Sequence, residues 1–222
     1  MSVRETLLAR RAVRSFAPAP VERDVIRELL ETAARAPSGG NLQPWKVHVL
    51  TGDSLLALKR EAENNFSFDA PREKPEHHVY PPDLGDPYRA RRRDLGEQMY
   101  KVLGVRKDDR EGKIGQLKRN FEFFGAPVGL FFVLDKNMEP IQWTDLGFFI
   151  QSICLLATEM GLGTCPQGFW VTLPETVRDI VGLEDHEMVV CGMALGYVDE
   201  TADINHFRSE RAKLDEIVRF HD

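Results

Sequence analysis

Arg35-Ala36-Pro37-Ser38-Gly39-Gly40-Asn41-Leu42-Gln43-Pro44-Trp45 is the stretch from which the rest of the chain can be read. Upstream of it, Val21, Val25, Ile26, Leu29, Leu30, Ala33 and Ala34 recur at helical spacing until Pro37 closes the pattern. Downstream, Trp45 to Thr51 alternates apolar and polar residues, as a strand with one wetter face does. The stretch is therefore a polar exit from a helix into a strand. Earlier still, Ala9-Arg10-Arg11-Ala12-Val13-Arg14-Ser15-Phe16 places three guanidiniums within five residues. Taken alone, one segment reads as a solvated helix end and the other as an ordinary turn. Together they carry more, because arginine presents a fork of permanently charged donors and glycine lets main-chain N–H groups approach a ligand closely. The pair points to an anionic, planar ligand.

Working outward, Gly52-Asp53 turns the chain into a second amphipathic helix through Ala62. From Phe66 to Tyr88 the periodicity dissolves, since Pro71, Pro75, Pro81, Pro82 and Pro87 remove donors and push their predecessors toward extended backbone. An irregular segment this long inside a compact domain is usually functional or disordered. We expect residues 66–109 to form a lid or insert, with Phe66, Phe68, Tyr80 and Tyr88 either meeting substrate or anchoring the segment. Helices are expected at Arg89–Leu103 and Arg110–Phe124, broken at Gly104. Val128 to Leu134 is a continuous apolar run and reads as a strand covered on both faces. Leu146 to Met160 reads as a helix apolar on most sides, which must be central or buried at a subunit interface. A shorter helix (Val171–Val181), a buried strand (Met188–Leu195) and a terminal strand (Ile217–Phe220) complete the expectation. With neither repeat nor linker, residues 1–222 read as one domain.

The chain has 222 residues, 42% apolar, enough to bury a full core. A net charge of −6 argues against a general nucleic-acid binder. The start lacks the apolar stretch and cleavage site of a secretory signal, and no run is long or apolar enough to span a bilayer. Cys154, Cys165 and Cys191 lack Cys-x-x-Cys spacing, so neither a disulfide framework nor a zinc site is expected, and the cytoplasm is the natural compartment. The six histidines show no metal-ligand spacing, and Cys165 has no histidine tied to it by a motif. No nucleophile elbow or phosphate-binding lysine loop supports a hydrolase or phosphotransferase.

Gly161-Leu162-Gly163-Thr164-Cys165-Pro166-Gln167-Gly168 begins like a dinucleotide fingerprint but follows a helix instead of a strand and puts Pro166 in place of a glycine. We read it as a loop. Tyr88-Arg89-Ala90-Arg91-Arg92-Arg93-Asp94 is the densest cationic stretch; its acidic neighbours favour a solvated helix face, with one arginine meeting an acidic substrate or the phosphate of a nicotinamide donor as the second reading. Arg208 and Arg211 lie in the tail. A phosphate monoester of charge about −1.5 to −2 would be matched by Arg10, Arg14 and one or both of these.

The arginine segment, the Ala36-Pro37-Ser38-Gly39 turn with Asn41 and Gln43-Pro44-Trp45, the Gly161–Gly168 stretch, the Gly192–Tyr197 strand end and the terminal arginines together resemble the FMN-dependent nitroreductase family, in its nitrobenzoate-reductase-like branch. The resemblance implies an α+β, three-layer α/β/α fold with a mixed, mainly antiparallel sheet flanked by helices, in an interlocked homodimer with an exchanged C-terminal arm. It implies FMN as cofactor and NADH or NADPH as donor, with hydride passing through flavin N5 by ping-pong kinetics to a nitroaromatic or quinone-like acceptor. Carried over by position, Arg10 and Arg11 would meet the FMN phosphate, Arg14 the pyrimidine edge of the ring, and Arg211, with or without Arg208, the phosphate again. Pro37, Ser38 and Gly39 would come from the partner subunit, with Asn41 and Gln43 near the flavin. Pro166, Gln167 and Gly168 would face it, the N–H groups of Gln167 and Gly168 towards the ring. Ala12 stands where the family usually has serine, a hydroxyl contact worth about 0.5–1.5 kcal/mol net. A flavin binder without turnover, or a relative acting on enones or halogenated substrates, is the alternative.

Overall fold

The computed structural model describes residues 1–221. Helix α1 (Val3–Ala9) opens the chain, and a reciprocal cap starts it: Glu5 N–H donates to Ser2 Oγ and Ser2 N–H to Glu5 Oε2. There follow α2 (Arg23–Ala33), β1 (Lys46–Thr51), α3 (Gly52–Asn65), α4 (Tyr88–Val102) and α5 (Arg110–Lys118). Then come β2 (Val128–Asp135), α6 (Pro140–Glu159), β3 (Leu162–Gln167), α7 (Pro174–Val181), β4 (Glu187–Tyr197), α8 (Asp203–His206) and α9 (Leu214–Ile217). The four strands lie in the order β1-β2-β4-β3, every neighbouring pair antiparallel. The parallel contact that makes the pairing mixed is a single bridge, Ala12 to Thr164.

Strand β2 shows why its sequence is apolar throughout. Successive side chains of a strand point to opposite faces. Leu130, Phe132 and Leu134 join Leu29 of α2 with Phe149 and Ile153 of α6 in one core, while Phe131 and Val133 join Leu55 and Leu58 of α3, Phe123, Trp170 and Val177 in the other. Both faces are covered, giving the three layers. Each fully buried Leu, Ile or Phe contributes about 1.5–3 kcal/mol to that arrangement. Two glycines allow aromatic rings to lie directly on the sheet: a β-carbon at Gly192 would fall 2.4 Å from Trp170 Cδ1, and one at Gly129 2.6 Å from Phe123 Cζ.

Several expectations are corrected here. The Gly161–Gly168 stretch is largely strand β3, not a loop. The helix begun at Arg110 stops at Lys118, and the chain then turns through Phe123 and Phe124 at φ of 50° and 54°. Ile217–Phe220 is no strand; α9 ends at Ile217 and irregular chain follows.

Residues 66–87 carry no regular element but are tied down at several points. Glu73 accepts from the N–H groups of Glu175 and Thr176 and from the Thr176 hydroxyl, capping α7. Glu76 pairs with Lys136 at 2.9 Å and Arg178 at 3.5 Å, and His77 Nε2 lies 3.1 Å from Val189 O. Farther along, α4 buries none of its residues, and its Arg91 reaches Glu216 of α9 at 3.0 Å. No helix among the described residues is long and apolar enough to cross a membrane.

Candidate functional site

After α1 the chain becomes extended, docks on the outer edge of β3 at Thr164 and then passes to the end of β4. Val13 N–H donates to Thr164 O at 2.9 Å, and Phe16 bridges Val198. Thr164 therefore turns its main chain away from β4, and by alternation so does Pro166. A proline has no N–H to donate and belongs at just such an outward position of an edge strand. Behind the segment, Asn205 is almost completely buried, clamps it at two points and ties it to the chain after β4 by a third bond. Its Oδ1 accepts from Arg14 N–H at 2.8 Å, and its Nδ2 donates to Ser15 O at 2.7 Å and to Asp199 O at 2.8 Å.

This scaffold gathers cations. Arg208 donates to Ala9 O at 2.9 Å, and its guanidinium is held below the usual arginine range by burial first, then by the neighbouring charges of Arg11 and Arg10. Arg11 meets Glu200 at 2.9 Å, while its Nε is buried with no partner. Glu200 is thus an acid among three arginines. Arg14 makes one long contact, 3.5 Å to Ala12 O. Arg211 folds back onto Ser209 and Glu210 instead of joining the group.

The second segment is a short 3-10 turn, Gly39–Asn41, presented to solvent. Gly40, Asn41 and Gln43 all have positive φ, a conformation costly for residues with side chains. Its shape is held from both sides: Gln43 N–H donates to Ser38 Oγ, and Gly39 N–H donates to both oxygens of Asp145. Asp145 is a buried carboxylate on α6. Gln43 Nε2 donates to Asn41 O, and Pro37 is exposed. No hydrogen bond or ion pair among the described residues joins this turn to the arginines. Beside it, Leu42, Ile141 and Phe148 expose large apolar side chains.

At the end of β3, Gln167 is buried, donating Nε2 to Asn120 O at 2.7 Å and leaving Oε1 unpartnered. Gly168 is exposed and begins a 3-10 turn, so its N–H lacks an intrahelical acceptor. Val79 packs on it: a β-carbon built there would lie 3.6 Å from Val79 Cγ1. Cys165 offers no nucleophile, since burial pushes its thiol up to about 11. Asn205, Asp145 and Glu200 went unread in the sequence. Their partners lie 191, 106 and 189 residues away, and no local pattern announces them.

Residues 7–197 match the nitroreductase family model. The chain belongs to the nitroreductase family. The 4-nitrobenzoate reductase of Pseudomonas putida is 41% identical over 96% of this chain and 92% of its own length. The chloronitrobenzene nitroreductase of Comamonas testosteroni is 35% identical over 95% and 93%. Among solved structures, the FMN and NADPH-dependent nitroreductase NfnB from Sphigopyxis sp. strain HMH superimposes with a TM-score of 0.96 at 41% identity, covering both chains completely. The nitroreductase fold anticipated from the sequence is thus the observed one.

Proposed function

We propose that this nitroreductase-family protein binds FMN and uses NADPH or NADH to reduce nitroaromatic acceptors. The observation that carries the reading is the arginine cluster. Three guanidiniums share one spot, Arg208 is depressed first by burial and then by its cationic neighbours Arg11 and Arg10, and Arg11 Nε is buried unpaired. Such a group is short of negative charge, and a phosphate supplies charge and several acceptors at once.

In this reading Arg10, Arg11 and Arg208 hold the phosphate, with Arg211 near it, and Arg14 lies at the pyrimidine edge of the ring. The backbone of Ala12 threads the cofactor past β3. Pro166, Gln167 and Gly168 form the floor, and the Gly168 N–H is available as a donor. When bound, FMN supplies the ring that exchanges hydride between donor and acceptor, and the protein supplies placement and electrostatics. The Asn205 clamp fixes the main chain at Arg14 before any ligand arrives, which sets where its side chain starts and so places a positive charge where negative charge would develop. Val79 lies against Gly168, which places the 66–109 insert to act as a lid beside the site. The protein works as a homodimer in which Pro37, Ser38, Gly39, Asn41 and Gln43 of the second subunit wall the site and the C-terminal arm is exchanged. The apolar Leu42, Ile141 and Phe148 beside that turn suit such an interface. Three free cysteines suit a reducing cytoplasm.

The test is direct. Protein reconstituted with FMN should take up one yellow chromophore per subunit, lose the colour anaerobically with NADPH or NADH, and regain it with a nitroarene. Failure to retain FMN sinks the proposal; retention without bleaching by either nicotinamide leaves a flavin carrier instead of an enzyme.

A further inference from the structure

The relatives act on two kinds of acceptor, one carrying a carboxylate and one neutral. The insert bears on which kind this chain takes. Its basic residues are numerous, but most are already neutralised by acids of the same chain. Arg89 meets Asp86, Arg91 meets Glu216, Arg93 meets Asp94, Arg106 meets Asp108 and Lys107 meets Glu97, and just past the insert Arg110 meets Asp69. Arg72 donates to Asn64 O. Arg92 is different. Among the described residues Arg72, Lys74, Lys101 and Arg92 of the insert have no carboxylate partner, and of these four Arg92 alone has its charge over an aromatic ring, that of Tyr80, 4.0 Å from the centroid. A guanidinium laid on an aromatic face keeps its edge N–H groups free, and that edge is the part that accepts a carboxylate in bidentate fashion.

The position of Tyr80 gives this arrangement a place in the site. Its neighbour Val79 is the residue that packs on Gly168, at the end of β3 where the proposed cofactor floor lies. The ring that holds Arg92 is therefore attached to the part of the insert that reaches the floor. Tyr80 is half exposed, so the stacked pair faces solvent and can be approached. From these observations we infer that Arg92, set on Tyr80, is the specificity residue for a nitroaromatic acid, binding the carboxylate of a nitrobenzoate-type acceptor whose nitro group faces the cofactor floor. The inference rests on the functional reading above.

The experiment compares 4-nitrobenzoate with its methyl ester, which has the same ring and nitro group but no charge. In the FMN-loaded protein, Arg92→Met should raise KM for 4-nitrobenzoate about tenfold or more, the loss expected for one charge-assisted bidentate contact. KM for the methyl ester, kcat, FMN content and the rate of bleaching by NADPH should stay as in the wild type. Arg92→Lys should recover part of the loss, and Arg89→Met, which removes an arginine already paired, should cause none. Equal losses for acid and ester, no loss for either, or the same loss in Arg89→Met would overturn the assignment. A rise in KM for NADPH with that for the acid unchanged would also overturn it and give Arg92 to the donor's phosphate. If the loaded wild type reduces no nitroarene, the functional reading has failed on its own. Calorimetric titration of the oxidised protein with 4-nitrobenzoate and with the ester then still decides the Arg92 contact: acid binding that is weakened in Arg92→Met supports it, and equal binding of acid and ester overturns it.

Discussion

Replacing Asn205 by leucine keeps the volume of the side chain and removes all three of its hydrogen bonds, which makes it a sharp probe of the N-terminal clamp. The three bonds are not equivalent. Ser15 O also accepts from Asp199 N–H at 3.2 Å, and Asp199 O from Ala202 N–H at 3.3 Å, so both carbonyls keep a partner. Each of these losses should cost about 0.5–1 kcal/mol, within the usual net value of a hydrogen bond. The N–H of Arg14 has no such reserve and is left unsatisfied in a partly buried place, which costs about 1–3 kcal/mol. The sum is about 2–5 kcal/mol. For a domain of this length each kcal/mol moves Tm by about 2–4 °C, so Tm should fall by about 4–20 °C. Thermal unfolding of wild type and Asn205→Leu at one protein concentration, each with and without FMN, reads this directly. The variant should also release FMN faster on dilution, because Arg14 and the segment before it lose their anchor. A Tm within about 2 °C of wild type together with unchanged FMN release would refute the reasoning.

Gly192→Ala should be among the most damaging small substitutions. The added methyl collides with the fully buried Trp170, and overpacking of this kind costs about 1–3 kcal/mol, visible as a lower urea midpoint. Arg208→Ala should weaken FMN binding roughly 10- to 100-fold, as loss of a charge-assisted bond does, and Arg211→Ala distinctly less; equal effects in a fluorescence titration would remove Arg208 from the cluster's work. The Lys46–Glu187 pair sets an acid limit on stability. Glu187 is held below the usual glutamate range first by its hydrogen bond from Lys46, so the stabilisation is full above about pH 4.3 and is lost as pH falls through the depressed value. Lys46→Met should therefore lower Tm most at neutral pH, with the gap to wild type closing on acidification. A gap constant from pH 7 to pH 3 would contradict that.

The elements that could be read from sequence are those whose pattern is local. Strand β2 announces itself by an unbroken apolar run, and α2 by its periodicity and the proline after it. Strand β3 does not, because Gly163 and Pro166 are turn residues by composition. They fit a strand because it lies at the sheet edge, where Pro166 points outward and Gly163 passes beneath Val13. The capping box at Ser2 and Glu5 is legible, and α1 follows from it, yet a seven-residue helix carries too little periodicity to stand out. Of the site, the arginines and the polar turn could be named in advance because both are dense in unusual residues. The residues that position them could not. Asp145 lies within an apolar helix and Asn205 in a polar tail, and only the fold reveals what each one faces.

The docking of residues 10–16 at the edge of β3 has a consequence for the life of the chain before any ligand binds. The same seven residues that bring arginines together also shield an otherwise open strand edge, the kind of surface on which unfolded neighbours add and aggregates grow. If the arginines repel one another in the absence of an anion, the segment is weakest where protection is most needed. The cofactor would then serve as a folding ligand as well as a reagent, since whatever binds only the native state shifts the balance toward it. Soluble yield in a host would track its flavin supply, and nascent chains would compete for FMN as they compete for chaperones.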